Sequence, residues 1–223
     1  SSWKALNGQV RAALNMALSG IVYWTSDIGG YAGGGGGPHG LGYNHDIRSP
    51  AYLQLLTRWF QFGVLCPLFR SHGHRLPELQ PVSCDGSDSG GYNEVWHFAE
   101  PHRSAIVRVM RLREALRPYI DTLYELAAYD GSPVIRSLWY VFPTDPATED
   151  VDDQLMLGDR YLGAPVLVPN ASSRSVYLPH LPMGEAWFPF FFNETAAAAM
   201  DGGQTVTVLT PLDTFPLFER RRK

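Results

Sequence analysis

Cysteine is scarce in this sequence, and so are blocks of one charge and long apolar runs. The two cysteines, Cys66 and Cys84, are too few for a disulfide framework or a zinc site. The net charge is −4 and the longest basic block is the terminal RRRK, so we expect no nucleic-acid partner. No apolar run approaches the roughly 18 residues of a membrane span, so we expect no membrane partner either.

Several catalytic signatures are also missing. The stretch GGYAGGGGG is followed by no Lys-Ser or Lys-Thr pair, which argues against a phosphate-binding loop. No Gly-x-Ser-x-Gly nucleophile motif occurs. His39, His45, His74, His97 and His102 show no metal-ligand spacing, and a chelate by the loop pair His72 and His74 is only a minor alternative, so we predict no metal site.

No initiator methionine and no signal peptide open the sequence, which starts at Ser1. We therefore expect a piece of a longer protein. Its location stays open between cytoplasm and secretion, and nothing in the sequence indicates an oligomeric state.

The first 131 residues predict alternating helices and strands. Ser1 to Gly20 carry apolar residues at helical spacing, and IVYWTSD then reads as a buried strand. Ser49 and Pro50 are typical of a helix start, and GVLCPLFRSHG reads as a second short strand. The longest helix follows a loop and ends at Gly131, with Pro118 expected to kink it. This order favours a parallel sheet built of βα units.

From residue 132 onward, short apolar runs alternate with Pro, Gly and Asn turns. Examples are VIRSLWYVF, YLGAPVLV, SVYLP, AWFPFFF and TVTVL. Such a pattern is typical of antiparallel strands and predicts a β-sandwich. We therefore predict an α/β domain over residues 1–131 and a β-sandwich domain over residues 132–223.

Polar residues follow the two predicted parallel strands at their ends. Asp27 follows the first strand, and Arg70 and His72 follow the second. Because the carboxyl ends of parallel strands share one edge, these side chains should converge on one pocket rim. A carboxylate, a guanidinium and an imidazole together can hydrogen-bond vicinal hydroxyl groups. Each residue alone could equally be structural, and most of the aromatic residues are expected to fill the core.

The sequence resembles glycoside hydrolase family 31, the α-glucosidases and α-xylosidases. The resemblance runs in order over nearly the whole chain, through the segments SSWKALNGQVRAALNMALSGIVYWTSDIGGY, LLTRWFQFGVLCPLFRSHG, NEVWHF, LRPYIDTLYELAAYDGSPVIRSLW, DDQLMLGDRYLGAPVL and PLDTFPLF. It implies the C-terminal part of a (β/α)8 TIM barrel followed by an antiparallel β-sandwich. It also implies a retaining exo-acting α-glycosidase with an oligosaccharide or α-glycoside substrate.

The same resemblance implies roles for particular residues. Asp27, Arg70 and His72 match positions that hydrogen-bond the sugar in the −1 subsite, and Tyr31 and Trp24 match aromatics of the substrate pocket. The family's nucleophile and acid/base carboxylates are expected upstream of Ser1, so we assign no catalytic residue within the chain and expect the isolated chain to be inactive. The two-carboxylate mechanism requires no cofactor.

Three questions stay open from the sequence. The preferred substrate is either a glucoside or a xyloside. The glycine-rich insertion at 32–45 and the loop at 74–92 depart from the family pattern, and the loop could shape the leaving-group subsites. Finally, the chain could be a non-catalytic carbohydrate-binding or interaction module derived from such an enzyme.

Overall fold

A computed structural model of the chain describes residues 1–31, 45–76, 91–190 and 198–223. Its α-helices are α1 (Trp3–Leu18), α2 (Pro50–Gly63), α3 (His102–Asp130) and α4 (Leu138–Val141), with short 3₁₀ turns at Val95–His97 and Pro146–Thr148. Its strands are β1 (Ile135–Arg136), β2 (Leu155–Leu157), β3 (Tyr161–Gly163), β4 (Ser173–Leu178), β5 (Glu185–Pro189), β6 (Gln204–Leu209) and β7 (Leu217–Arg222). None of the described helices is both long enough and apolar enough to cross a membrane.

The three long helices form where the sequence predicts them, and local caps explain their ends. The Ser2 side chain accepts a hydrogen bond from the Ala5 amide at the start of α1, and Ser49 caps α2 with Pro50 in its first turn. Gly131 ends α3 in the left-handed conformation, at φ 76°, and donates to the Ala127 carbonyl. These signals act within a few residues, so they can be read from sequence.

Helix α2 is the central helix of the α-helical part. Eleven of its fourteen residues are buried, including the polar side chains of Thr57, Arg58 and Gln61. The predicted apolar stripe is buried throughout (Tyr52, Leu55, Leu56, Trp59 and Phe60). Helix α3 packs beside α2 and continues through Pro118, so the proline does not end it.

Neither of the two predicted parallel strands forms, and this corrects the sequence prediction. Residues 21–27 adopt no strand, and the Ile21 side chain is 49% exposed. Residues 64–68 form turns and bends after α2, and residues 69 and 70 adopt no regular structure. Directly after them, Ile28 and Ser71 form one parallel bridge, and among the described residues no strand ladder joins the two segments. A strand exists through its hydrogen-bonded neighbours, and a single bridge within the described residues does not supply them.

The later strands form two antiparallel sheets, as predicted. One sheet has five strands in the order β1-β2-β3-β7-β5, and the other pairs β4 with β6. Alternate residues of β4, Val176 and Leu178, are fully buried. They share an apolar cluster with Met156, Trp187 and Phe218 of the larger sheet, so the two sheets pack face to face as a sandwich.

One apolar run after residue 132 was predicted as a strand but is mostly helical. In VIRSLWYVF, only Ile135 and Arg136 pair in the sheet, whereas Leu138–Val141 form α4. The reason is local: the Ser137 side chain accepts a hydrogen bond from the Tyr140 amide and so caps a helical turn.

The main apolar cluster includes residues on both sides of the predicted domain boundary. Leu6 of α1, Leu55 of α2 and Leu116 of α3 belong to the same cluster as Leu155 of β2 and Leu217 of β7. The helices and the larger sheet therefore share one core. The boundary after residue 131 stays a prediction.

Some predictions lie outside the described residues. These are the loop tip at Gly33–Gly37, Cys84, and most of the insertion at 32–45 and the loop at 74–92. Cys66 is described, and it is a buried free thiol whose pKa is raised to about 12 by burial.

Candidate sugar-binding site

Two irregular segments, residues 24–31 and 68–76, lie side by side and carry the predicted site residues. The Ile28 amide donates to the Arg70 carbonyl at 3.2 Å, and the His74 amide donates to the Tyr31 carbonyl at 2.7 Å. At the other end, the Thr25 hydroxyl donates to the Leu68 carbonyl at 2.6 Å. These bonds join the segments along their length.

Asp27 and Tyr31 line an open cleft of about 500 Å³. Asp27 is half-buried, and the Tyr31 side chain is 64% exposed. The centroid of the His72 ring lies 5.4 Å from that of Tyr31, which brings the imidazole to the same rim. The remaining lining residues come from the first residue of the chain, α1, α2 and the first segment (Ser1, Ala5, Gln9, Thr25, Ser26, Gly30 and Trp59).

The other two predicted residues lie beside the cleft and do not line it. Arg70 has an exposed side chain, and its carbonyl is the group that pairs with Ile28. Trp24 is half-buried and packs against the main apolar cluster. The structure therefore brings Asp27, Tyr31 and His72 together, with Arg70 adjacent through its backbone.

Beneath this rim lies a buried polar layer formed by Arg75, His45 and Tyr52. Arg75 and His45 have no exposed surface. The Tyr52 hydroxyl donates to the Gly29 carbonyl at 3.3 Å, and the Tyr52 ring stacks on His45 with centroids 5.0 Å apart. The guanidinium of Arg75 lies over the same tyrosine ring, 5.9 Å from its centroid. The layer thus supports the first segment from below.

Burial governs the protonation of this layer. It lowers the pKa of His45 to about 4, so the imidazole is neutral at pH 7. The Nδ1 atom of His45 lies 3.0 Å from the His74 carbonyl, and a carbonyl can only accept, so Nδ1 carries the proton. Burial also lowers the pKa of Arg75, although the nearby negative charge of Asp27 opposes that shift.

Matches to two protein-family models decide which family the chain belongs to. Residues 1–123 match the glycosyl hydrolases family 31 TIM-barrel domain, and residues 131–222 match the glycosyl hydrolase family 31 C-terminal domain. The chain belongs to glycosyl hydrolase family 31. The resemblance seen in the sequence is thereby confirmed, as is the fold class of a TIM-barrel part followed by a C-terminal β domain.

Similar family 31 proteins include enzymes of both predicted specificities. An α-xylosidase of Saccharolobus solfataricus is 33% identical over 98% of this chain and 25% of its own length. Human neutral α-glucosidase C is 31% identical over 99% of this chain and 20% of its own length. The crystal structure of an α-xylosidase from a soil metagenome, complexed with xylose, is 39% identical with a TM-score of 0.85, over 99% of this chain and 31% of the other. The family 31 chain thus spans between a fifth and a third of the length of these relatives.

The buried layer of this family 31 chain was not predicted from its sequence. Arg75 lies in the stretch RSHGHR, at the start of the predicted loop, and was given no role there. Arginine is rarely fully buried, so nothing short of the fold indicated that Arg75 points inward. Within the described part of the chain, no group of three or more His, Cys, Asp or Glu side chains is placed to hold a metal ion.

Proposed function

We propose that this chain forms the sugar-binding rim of a retaining exo-acting α-glycosidase that hydrolyses terminal α-linked glucosides or xylosides. Asp27, Arg70 and His72 hydrogen-bond the hydroxyl groups of the sugar in the −1 subsite, and Tyr31 flanks it. Trp24, which packs against the main apolar cluster beside the cleft, supports this rim. The observation that carries this proposal is the parallel bridge between Ile28 and Ser71, because it puts Asp27 and His72 on neighbouring segments at one rim.

The chemistry of the family explains why the rim alone is not sufficient. A retaining glycosidase uses two carboxyl groups about 5–5.5 Å apart: one attacks the anomeric carbon, and the other protonates the leaving oxygen and then activates water. Among the described residues that line the cleft, Asp27 is the one carboxylate. We therefore propose that both catalytic carboxylates lie outside this chain and that Asp27 binds substrate hydroxyls.

The rim residues suit that binding role. An ionised carboxylate only accepts hydrogen bonds and a guanidinium only donates them, whereas an imidazole can do either. Together they can recognise hydroxyl groups in both directions. A site built this way discriminates strongly against a sugar that lacks the expected hydroxyl, since the unpaired polar groups lose their partners.

The deciding experiment compares this 223-residue chain with the complete gene product that contains it. Both are assayed for hydrolysis of aryl α-glucoside and aryl α-xyloside. We expect turnover only from the complete protein, and the faster substrate then identifies the specificity. Turnover by the chain alone would make Asp27 or another local carboxylate catalytic. Sugar binding without turnover by the complete protein would favour a carbohydrate-binding module.

A further inference from the structure

Arg75 is a fully buried cation that is held by backbone carbonyls. It has no exposed surface, and among the described residues no carboxylate accepts a hydrogen bond from it. Its Nη1 atom donates to the carbonyls of Gly30 at 2.8 Å and His74 at 3.2 Å. Its Nη2 atom donates to the carbonyls of Ile28 at 2.8 Å and His72 at 3.1 Å.

The pairing of these four bonds connects the two site segments. Each terminal nitrogen of Arg75 binds one carbonyl of the first segment and one of the second. The acceptors also flank the proposed sugar-binding residues: the carbonyls of Ile28 and Gly30 are adjacent to Asp27 and Tyr31 in sequence, and the His72 carbonyl belongs to a binding residue itself. One planar group therefore sets the spacing of both backbones at the site.

We propose that Arg75 is a positioning residue for the −1 subsite, which holds Asp27 and His72 in register by cross-linking their segments. This inference rests on the proposed function of the rim. It also explains the choice of residue, because burying a cation is unfavourable unless its donors are paired. Both terminal nitrogens of Arg75 are paired with carbonyls, although its Nε has no partner among the described residues. A lysine has three donors on one nitrogen and cannot span both segments as a planar guanidinium does.

The chain supplies a matched control in Arg58. Its side chain is also buried, at 3% exposure, and burial lowers its pKa to about 10. It donates to the carbonyls of Thr210 at 2.6 Å, Pro211 at 3.2 Å and Thr214 at 2.8 Å. These acceptors lie in the turn before β7, and none is a predicted site residue. Arg58 thus makes the same type of contact without touching the sugar-binding segments.

The test compares Arg75→Met with Arg58→Met in the complete enzyme, at a temperature below both melting transitions. For Arg75→Met we expect kcat/KM on the preferred aryl glycoside to fall about 100-fold, which is the typical cost of displacing a catalytic geometry by about 1 Å. The loss should be carried mainly by kcat, because contacts at the reacting sugar strengthen in the transition state. For Arg58→Met we expect a change of no more than about threefold, since Arg58 and Arg75 share no carbonyl partner and the partners of Arg58 lie outside the two site segments.

A double-mutant cycle separates positioning from general stability. If Arg75 acts through Asp27, then combining Arg75→Met with Asp27→Ala should cost less than the sum of the single changes. If Arg75→Met yields no soluble protein, Arg75→Lys replaces it in the same comparisons, and we expect lysine to restore solubility without restoring kcat.

Each outcome has a distinct meaning. Equal kinetic losses in the Arg75 and Arg58 variants, or strict additivity with Asp27→Ala, would overturn the role of Arg75 while leaving the proposed function in place. Restoration of kcat by Arg75→Lys would do the same. A wild-type enzyme that hydrolyses neither substrate would contradict the proposed function itself, and the positioning role with it.

Discussion

At the scale of single residues, two buried arginines and one half-buried arginine organise the irregular parts of this chain. Arg75 and Arg58 each bind three or more backbone carbonyls, and Arg113 binds those of Val64, Cys66 and Pro67 at 2.6–2.8 Å. Segments outside helices and sheets leave carbonyls without partners, and a buried polar group without a partner is destabilising. Arginine offers five donors in one plane, so one side chain can satisfy several carbonyls at once.

We predict that Asp27→Ala in the complete enzyme will lower kcat/KM by about 10- to 100-fold or more, because a hydrogen bond to a charged group contributes about 1.5–3 kcal/mol. Asp152→Ala is the control, since this exposed carboxylate is paired with the exposed Arg11 and does not line the cleft, so its loss should leave the kinetics unchanged. Steady-state kinetics on both aryl glycosides measure the effect. Near-normal turnover by Asp27→Ala would contradict its role in the subsite.

At the scale of elements, the sequence predicts the helices well and the parallel strands poorly. Helix α2 begins at Pro50 because Ser49 caps the helix and Pro50 suits its first turn, and both signals are local in sequence. The segment IVYWTSD has the composition of a buried strand, yet it lacks the neighbours that would pair with it along its length. A helix cap or an apolar stripe depends on residues within one or two helical turns, whereas strand pairing depends on residues distant in sequence. The inward orientation of Arg75 depends on the same distant contacts.

Pro118 provides a test at this scale. It is exposed in the middle of α3, where it lacks the amide that would donate to Glu114. We predict that Pro118→Ala will raise the free energy of unfolding by about 1–2 kcal/mol, since proline costs about 3 kcal/mol inside a helix but restricts the unfolded chain by up to about 1 kcal/mol.

The control for Pro118 is Pro50→Ala at the start of α2, where proline is well tolerated. That change should give no gain, or a loss of up to about 1 kcal/mol. Denaturant unfolding measures both. A loss of stability in Pro118→Ala would indicate that the packing of α3 requires the geometry that proline imposes.

At the scale of the whole molecule, apolar side chains are exposed around the end of α1. Leu18, Ile21 and Tyr23 are 47–50% exposed, and they follow one another closely along the chain. Contiguous exposed apolar surface is typical of an interface or of an aggregation site. The exposed side chains of Leu18, Ile21 and Tyr23 therefore favour contact with other protein surfaces.

We predict that the 223-residue chain alone will self-associate through this surface. The double variant Leu18→Glu/Ile21→Lys should reduce the association, because it places charges on the apolar surface. Met183→Lys is the control: Met183 is fully exposed in the sandwich, far in sequence from α1, and its replacement should change nothing. Sedimentation velocity over a range of concentrations measures the effect. A monomer with a sharp thermal transition at all concentrations would contradict the prediction.

The apolar cluster shared by helices and the larger sheet has a consequence for how such enzymes can be recombined. Leu116 of α3 and Leu217 of β7 belong to one continuous cluster. The helices and the larger sheet would therefore each expose apolar side chains if they were separated. Exchanging the C-terminal domain between relatives would bring side chains that do not fit each other into the contact between the helices and the larger sheet. A successful chimera must therefore transfer the helical residues of the cluster together with the strands, and the useful crossover point is set by the packing and not by the end of α3 at Gly131.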